Sequence, residues 1–269
     1  MPKLQGKIAF ITGAARGQGR SHALRLAQEG ADIIAVDICE QIPTVTYPLA
    51  TLDDLKETAE AVRAIGGRIV IEQADVRDRS MLAKAFESGL AEFGGVDIVL
   101  ANAGILPAVD GDEDPQTFAD VIGVNLIGMW NTVEVAKKTL VEQGRGGAIV
   151  LTSSTAGLKG YAGSVPGNAY VASKHGIVGL MRNYASSLAP HSIRVNSIHP
   201  SGVATPMVMN DAIAALLSTP GAADGYANAL PVQIMEPIDV SNAIAWLVSD
   251  EARYVTGIAL AVDAGETLK

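Results

Sequence analysis

What most constrains the fold of this 269-residue chain is an alternation along its length. Short apolar runs recur, each followed by a longer segment with helical periodicity. The runs are Lys7–Thr12, Asp32–Asp37, Arg68–Gln73, Asp97–Ala101, Gly147–Thr152, Ile193–Ile198 and Ile258–Val262. They are continuously apolar rather than apolar at every second position, as strands buried on both faces must be. Helical segments lie over Ser21–Gln28, Asp53–Ala64, Arg79–Phe93, about Thr117–Glu142, Tyr170–Leu188 and Val240–Val248. Gly30, the Gly66-Gly67 pair and the Gly94-Gly95 pair stop the first three. This predicts one α/β domain over residues 1–269, a doubly wound, seven-stranded parallel sheet with helices on both faces. No composition shift, repeat or low-complexity tract divides it. Ligands of such sheets sit beyond the carboxyl ends of the strands, so chemistry is sought just after each strand.

Composition removes several function classes. At 48% hydrophobic and 18% charged the chain has the makings of a packed core. Its net charge of −9 opposes a phosphate backbone, so no nucleic-acid partner is expected. Cys39, the single cysteine, permits neither an intramolecular disulfide nor a multi-thiolate zinc site. A packing role for it is expected. His22, His175, His191 and His199 lack metal-ligand spacing, and no metal is assigned. No apolar run approaches the ~18 residues of a membrane span. Met1–Gly6 carries no signal-peptide core, so a cytoplasmic protein without a membrane partner is expected.

The first strand runs into Thr12-Gly13-Ala14-Ala15-Arg16-Gly17-Gln18-Gly19. Glycines at 13, 17 and 19 allow a tight turn and close backbone approach, and the helix that follows offers free N–H groups to a pyrophosphate. The spacing is Gly-x3-Gly-x-Gly, neither the common dinucleotide fingerprint nor a P-loop. In a strand–turn–helix setting it predicts a Rossmann-type nucleotide site. Asp37, 18 residues after Gly19, is placed to bind the adenine ribose hydroxyls. Its carboxylate repels a 2′-phosphate, which favours NAD over NADP; the alternative is a solvated acid at a strand end. Asp75-Val76, after the third strand, is placed to meet the adenine.

Further on come Asn102-Ala103-Gly104 after the fourth strand, Ser153-Ser154 after the fifth, and Tyr170-Val171-Ala172-Ser173-Lys174. Tyr170 and Lys174, four apart, share a helix face. An ammonium beside a phenol favours the phenolate. From an ordinary value near 10, function near neutrality needs a shift of about 3 units, or about 4 kcal/mol.

Together these residues resemble the short-chain dehydrogenase/reductase family along essentially the whole chain. Thr12-Gly13-x3-Gly17-x-Gly19 is similar to its cofactor loop, Asn102-Ala103-Gly104 to its strand-four motif, and Asn125 to its helix asparagine. Ser154, Tyr170 and Lys174 correspond to its catalytic residues, Ser154 being preferred to Ser153 on the family's Ser-Ser pair alone. Pro200-Ser201-Gly202-Val203-Ala204-Thr205 resembles the nicotinamide-carboxamide segment, with Pro200, Val203 and Thr205 as contacts. Val255-Thr256-Gly257 and Val262–Gly265 resemble the C-terminal signature. The resemblance implies Tyr170 as acid/base, Lys174 on the nicotinamide ribose, Ser154 on the substrate oxygen, and Asn125 holding a water that links Lys174 to solvent. It also implies a homotetramer.

Two departures stand out. Ser154 and Tyr170 are 16 residues apart, a few more than usual, with the surplus in the glycine-rich Gly157–Gly167 stretch. Ile38–Leu52 is an insertion of 15 residues where about 2–6 are typical, stiffened by Pro43 and Pro48. With Val36–Cys39 and Ser153–Gly160, it resembles a narrower group, the carveol-dehydrogenase-like enzymes also described as mycofactocin-coupled. That implies NAD-dependent interconversion of a secondary alcohol, cyclic and terpenoid-like, and its ketone. It implies, too, a retained cofactor and a redox partner that reoxidises it in place. The insertion is expected to fold over the adenosine; the alternative is a decorative surface loop.

Met207, Val208, Met209, Ile213, Leu216 and Leu217, within residues 205–231, are expected to close an apolar substrate pocket, with Ile105, Leu106 and Pro107 as a second wall. The competing readings are an NADPH ketoreductase of acyl substrates and a catalytically silent dinucleotide sensor. Asp37 and the absence of a basic residue after it oppose the first, and the joint presence of Ser154, Tyr170 and Lys174 opposes the second.

Overall fold

The computed structural model describes residues 2–107, 113–161, 167–218 and 224–269. Seven strands, β1 (Ile8–Thr12), β2 (Asp32–Asp37), β3 (Ile69–Gln73), β4 (Ile98–Ala101), β5 (Gly147–Thr152), β6 (Ile193–Pro200) and β7 (Ala259–Val262), form one sheet. Their order is β3-β2-β1-β4-β5-β6-β7. Every pairing is parallel, as expected. The chain winds outward from β1 to β3 and returns to β4 beside β1, so a crevice opens at the carboxyl ends of β1 and β4.

Alternate strand residues feed two cores, because neighbouring side chains point to opposite faces. Phe10, Ile34, Val99 and Ile149 pack under α3 (Arg79–Phe93), α4 (Pro115–Ile122), α5 (Gly128–Gln143) and α6 (Asn168–Leu188). Ile11, Ile33, Ile98 and Val150 pack under α1 (Gly17–Gln28), α2 (Leu52–Ala64) and α8 (Pro237–Val248). A short α7 (Asp211–Leu217) follows β6, where no helix is expected from the sequence.

Three boundaries differ in ways that bear on the site. Helix α1 starts at Gly17 rather than Ser21, so the last two glycines of the loop already belong to its first turn. The single helix expected over Thr117–Glu142 is two helices joined by a π-helical segment, Gly123–Ile127, which carries Asn125. Glycines flank the break for a packing reason. A Cβ on Gly128 would lie 2.4 Å from Val76 Cγ2, and one on Gly123 would lie 3.3 Å from Arg77 Cδ. The extra residue in that turn is a local departure that amphipathic periodicity does not reveal. Strand β6 continues two residues past Ile198, to Pro200. Asp53 and Asp54 stand in the first turn of α2, where Asp54 and Thr51 cap the helix reciprocally.

Candidate active site

The glycines of the first loop allow three close approaches. Gly13 has φ +68° and sits beneath Ala103, whose Cα would be 2.7 Å from an added Cβ. A Cβ on Gly19 would lie 1.9 Å from the Gly13 carbonyl oxygen. Gly17, at φ +55°, lies under the Thr205 side chain. Asn102 then stitches β4 to β1, its Nδ2 donating to Thr12 O at 3.1 Å and Gly13 O at 3.3 Å. The backbone N–H of Ala103 reaches Thr12 Oγ1 at 3.4 Å.

Beyond this loop lies an open cleft of about 1040 Å³, lined by Gly13, Arg16–Gly19, Asp37, Asp75, Val76, Asn102–Gly104, Tyr170, Lys174 and Thr205. Asp37 is buried at the end of β2 and accepts the Ala15 N–H at 3.0 Å and the Cys39 N–H at 3.3 Å. Burial pushes its carboxyl up. Gln18 Oε1 is buried with no hydrogen-bond partner, an acceptor left open on the wall of this cleft. Asp75 is tied to Arg77 at 2.7 Å, and Arg77 to Asp120 at 2.9 Å. The Val76 carbonyl is held by Asn131 Nδ2 at 2.8 Å. Cys39 adopts φ +49°, packs half-buried beside the second core, and burial pushes its thiol up to about 12, far from a reactive thiolate.

The insertion crosses this cleft. Gln41 is its spindle: Nε2 donates to Val45 O at 3.0 Å and Ile42 O at 3.2 Å, while Oε1 accepts from Leu49 N at 2.9 Å. Ile42, Val45 and Tyr47 are buried in the first core, which a decorative loop would not require. Thr44 Oγ1 donates to Asp120 at 2.8 Å, Arg16 donates to the Pro48 carbonyl, and Tyr47 Oη accepts the Leu106 N–H at 3.3 Å. Ile38, Ile42, Tyr47, Leu49 and Ala50 line the cleft beside Asp37.

At the inner end of the cleft α6 presents Tyr170 and Lys174, both buried. Lys174 Nζ donates to Thr152 O at 3.0 Å and lies 5.3 Å from the Tyr170 ring centre. Tyr170 and Ser154 border a common space. Ser154 Oγ accepts the Ala156 N–H at 3.2 Å, which aims it from the end of β5. Burial pushes the Tyr170 phenol up to about 12, with Ser154 opposing and Tyr47 adding to the rise. Burial pulls Lys174 down to about 7. Exclusion of water thus outweighs the attraction between ammonium and phenol at both groups. Asn125 is placed here too, but its amide is spent on backbone. Oδ1 accepts Ile105 N at 2.8 Å and Nδ2 donates to Ile105 O at 2.9 Å, pinning the loop after β4. Gly104 lies between them, its Cβ position 3.4 Å from Asn125 Oδ1 and 3.7 Å from Lys174 Nζ.

A second cavity, of about 1050 Å³, opens on the far side of Tyr170. Ser154, Pro200, Val203 and Thr205 line it, with Leu106, Met207, Val208, Ile213 and Leu217 as apolar walls. Met209 is instead exposed, and Ile105 faces the first cleft. The side chain of Leu216, and residues 219–223, 162–166 of the glycine-rich stretch and 108–112, lie outside the described residues.

Sequence reasoning missed His199. It is fully buried on β6, Nδ1 2.8 Å from Ser154 O and Nε2 2.8 Å from Ser197 Oγ. A carbonyl oxygen only accepts, so Nδ1 carries the proton and Nε2 accepts from Ser197. The ring thereby fixes the backbone of Ser154.

Comparison with known proteins follows this geometry. The family described as enoyl-(acyl carrier protein) reductase matches residues 13–267. An uncharacterized oxidoreductase of Mycobacterium tuberculosis (strain CDC 1551 / Oshkosh) is 58% identical, over 97% of this chain and 96% of its own length. The (-)-trans-carveol dehydrogenase of Rhodococcus erythropolis is 47% identical over 100% of both chains. The crystal structure of carveol dehydrogenase from Mycobacterium avium in complex with NAD superposes with a TM-score of 0.94, at 47% identity and full coverage of both chains. The chain belongs to the short-chain dehydrogenase/reductase family. Among short-chain dehydrogenases/reductases it is similar to the carveol dehydrogenases over its whole length, insertion included.

Burial depresses His199 to about 4, so the folded protein keeps it neutral. An unfolded histidine takes its proton near 6.5. The unfolded chain therefore binds more protons between those values, and stability is lost as pH falls from about 6.5 towards 4. Urea midpoints measured across this range should fall less steeply for His199→Gln than for wild type; parallel slopes would show that His199 does not contribute.

Proposed function

We propose that the protein is an NAD-dependent dehydrogenase of secondary alcohols, acting on cyclic, apolar, terpenoid-like substrates and their ketones. The observation that carries this is the position of Tyr170, beside Lys174, sharing a cavity with Ser154 and on the boundary between two cavities. The residues present fit the dinucleotide. The Gly13–Gly19 turn and the first turn of α1 suit a pyrophosphate, and the open Gln18 acceptor on the cleft wall suits a hydroxyl or N–H donor. Asp37 suits ribose hydroxyls. An NADPH ketoreductase of acyl substrates fits less well, since Asp37 opposes a 2′-phosphate and Arg16, the nearby cation, is engaged with Pro48.

When bound, NAD supplies the hydride acceptor and a positive charge that favours the phenolate. Tyr170 then takes the proton of the alcohol oxygen as the carbinol C–H bond breaks. Ser154 donates a hydrogen bond to that oxygen, where charge changes most in the transition state. Lys174, held by Thr152, holds the nicotinamide ribose and supplies a second positive charge near the phenol. Asn125 keeps the floor of the site in register through Ile105. Asp75 and Val76 would border the adenine, and Pro200, Val203 and Thr205 would border the carboxamide.

The insertion supports the further reading that NAD is held rather than exchanged, with a redox partner reoxidising it in place, as in mycofactocin-coupled dehydrogenases. Exposed Phe118, Ile127 and Trp130, on α4, the π segment and α5, support a homotetramer. Among the described residues no helix is long and apolar enough to cross a membrane, and the protein is read as cytoplasmic.

The test follows reduced-nicotinamide absorbance with added NAD, and in separate runs the bleaching of a dye acceptor that reoxidises a retained cofactor, on a panel of cyclic secondary alcohols. Wild type should turn over and Tyr170→Phe should lose at least about a hundredfold, the scale of general acid–base catalysis. Equal rates, or no turnover with any alcohol or ketone, would favour the silent sensor. Gln41→Ala, which unwinds the insertion, should speed NAD release at least about tenfold in stopped-flow fluorescence, on the scale of one or two lost hydrogen bonds; an unchanged rate would remove the lid.

A further inference from the structure

The second cavity is not apolar throughout. On its wall stands Glu266, a carboxylate from the last turn of the chain that is 1% exposed. The local sequence presents it there: Asp263 accepts from Gly265 N at 3.0 Å, Thr267 N at 2.9 Å and Thr267 Oγ1 at 2.7 Å, curling the chain after β7. Tyr161 donates its phenol proton to Glu266 Oε1, and Lys159 Nζ lies 3.3 Å from the same oxygen. Tyr161 is stacked on Tyr226 at 4.7 Å and lies 2.6 Å from Thr155 Oγ1, which also lines the cavity.

The donors of this cluster are spent. Lys159 has three N–H groups, and they face Gly225 O at 2.9 Å, Glu266 O at 3.2 Å and the Glu266 carboxylate. The Tyr161 O–H is directed at Glu266, and burial with the adjacent carboxylate holds that phenol protonated. What remains is acceptor capacity, because an ionised carboxylate has about four lone-pair sites and no proton to give. An all-apolar ligand would leave this acceptor desolvated, at a real cost. A ligand carboxylate placed against it would be repelled by the Glu266 charge. A hydroxyl suits it.

We propose that Glu266, positioned by Tyr161 and Lys159, accepts a hydrogen bond from a second hydroxyl of the substrate, so that the preferred substrate is a cyclic diol oxidised at the hydroxyl facing Tyr170. This rests on the secondary-alcohol reading above and adds a specificity-determining residue to it.

The experiment compares kcat/KM for cyclohexanol, the cyclohexanediols and the diols' monomethyl ethers, in wild type and in Glu266→Gln. Wild type should favour at least one diol over cyclohexanol and over its ether by at least about tenfold, the scale of a hydrogen bond to a charged group. Glu266→Gln should erase most of that preference, chiefly through KM, while cyclohexanol changes by less than about threefold. A loss of equal size on all substrates would mean that Glu266 only clasps the C-terminus, and would overturn the proposal. So would a wild type indifferent to the second hydroxyl, a result that needs no variant to fold. Turnover of cyclohexanol with no diol preference sinks this subsite alone; no turnover of any alcohol sinks the functional reading and the subsite with it.

Discussion

The exclusion of water around Tyr170 and Lys174 is the constraint on which the rest of the site depends. Both side chains are buried on one face of α6, and each is driven toward its neutral form, the phenol up to about 12 and the amine down to about 7. A pair so placed is poised rather than ionised. A charge arriving beside it, screened by little water, acts far more strongly than it would at a surface. The two cavities meet at this pair, one suited to a dinucleotide and the other to a substrate of mixed polarity.

Holding such a pair still is the work of the surrounding polar side chains, which spend their hydrogen bonds on backbone. Asn102 ties β4 to β1, Asn125 ties the π segment to Ile105, and His199 ties β6 to Ser154. None of these need touch a ligand to matter, since each fixes the chain at a residue that borders one. The insertion follows the same logic, wound about Gln41 and fastened to α4 through Thr44. Preorganisation of this kind lets oriented dipoles act without reorganising as the reaction proceeds.

The strands and the parallel, doubly wound class of the sheet were legible in the sequence because burial on both faces writes itself into each strand locally, whereas their order came from the structure. The shared helix face of Tyr170 and Lys174 was legible from their spacing of four, whereas the choice of Ser154 rested on the resemblance to the family. Less legible was whatever depends on distant partners. The division of the Thr117–Glu142 segment follows from Val76 and Arg77 pressing on Gly128 and Gly123, far away in the chain. Glu266 and Tyr161 are 105 residues apart, and neither carries a periodic signal. The fastening of Asn125 to Ile105 was not legible, because the two are 20 residues apart and only the fold sets them together. His199 looked like one more histidine without metal spacing until β6 set it against Ser154.

The central claim is that a buried phenol becomes a base when the cofactor's charge arrives, and tyrosinate absorbance tests it directly. Titrating wild type and Tyr170→Phe, each with and without NAD, isolates one phenol among six by difference. Without NAD, Tyr170 should ionise near 12; with NAD its titration should move well down, towards neutrality. A Tyr170 titration that stays where it was when NAD binds would contradict the account.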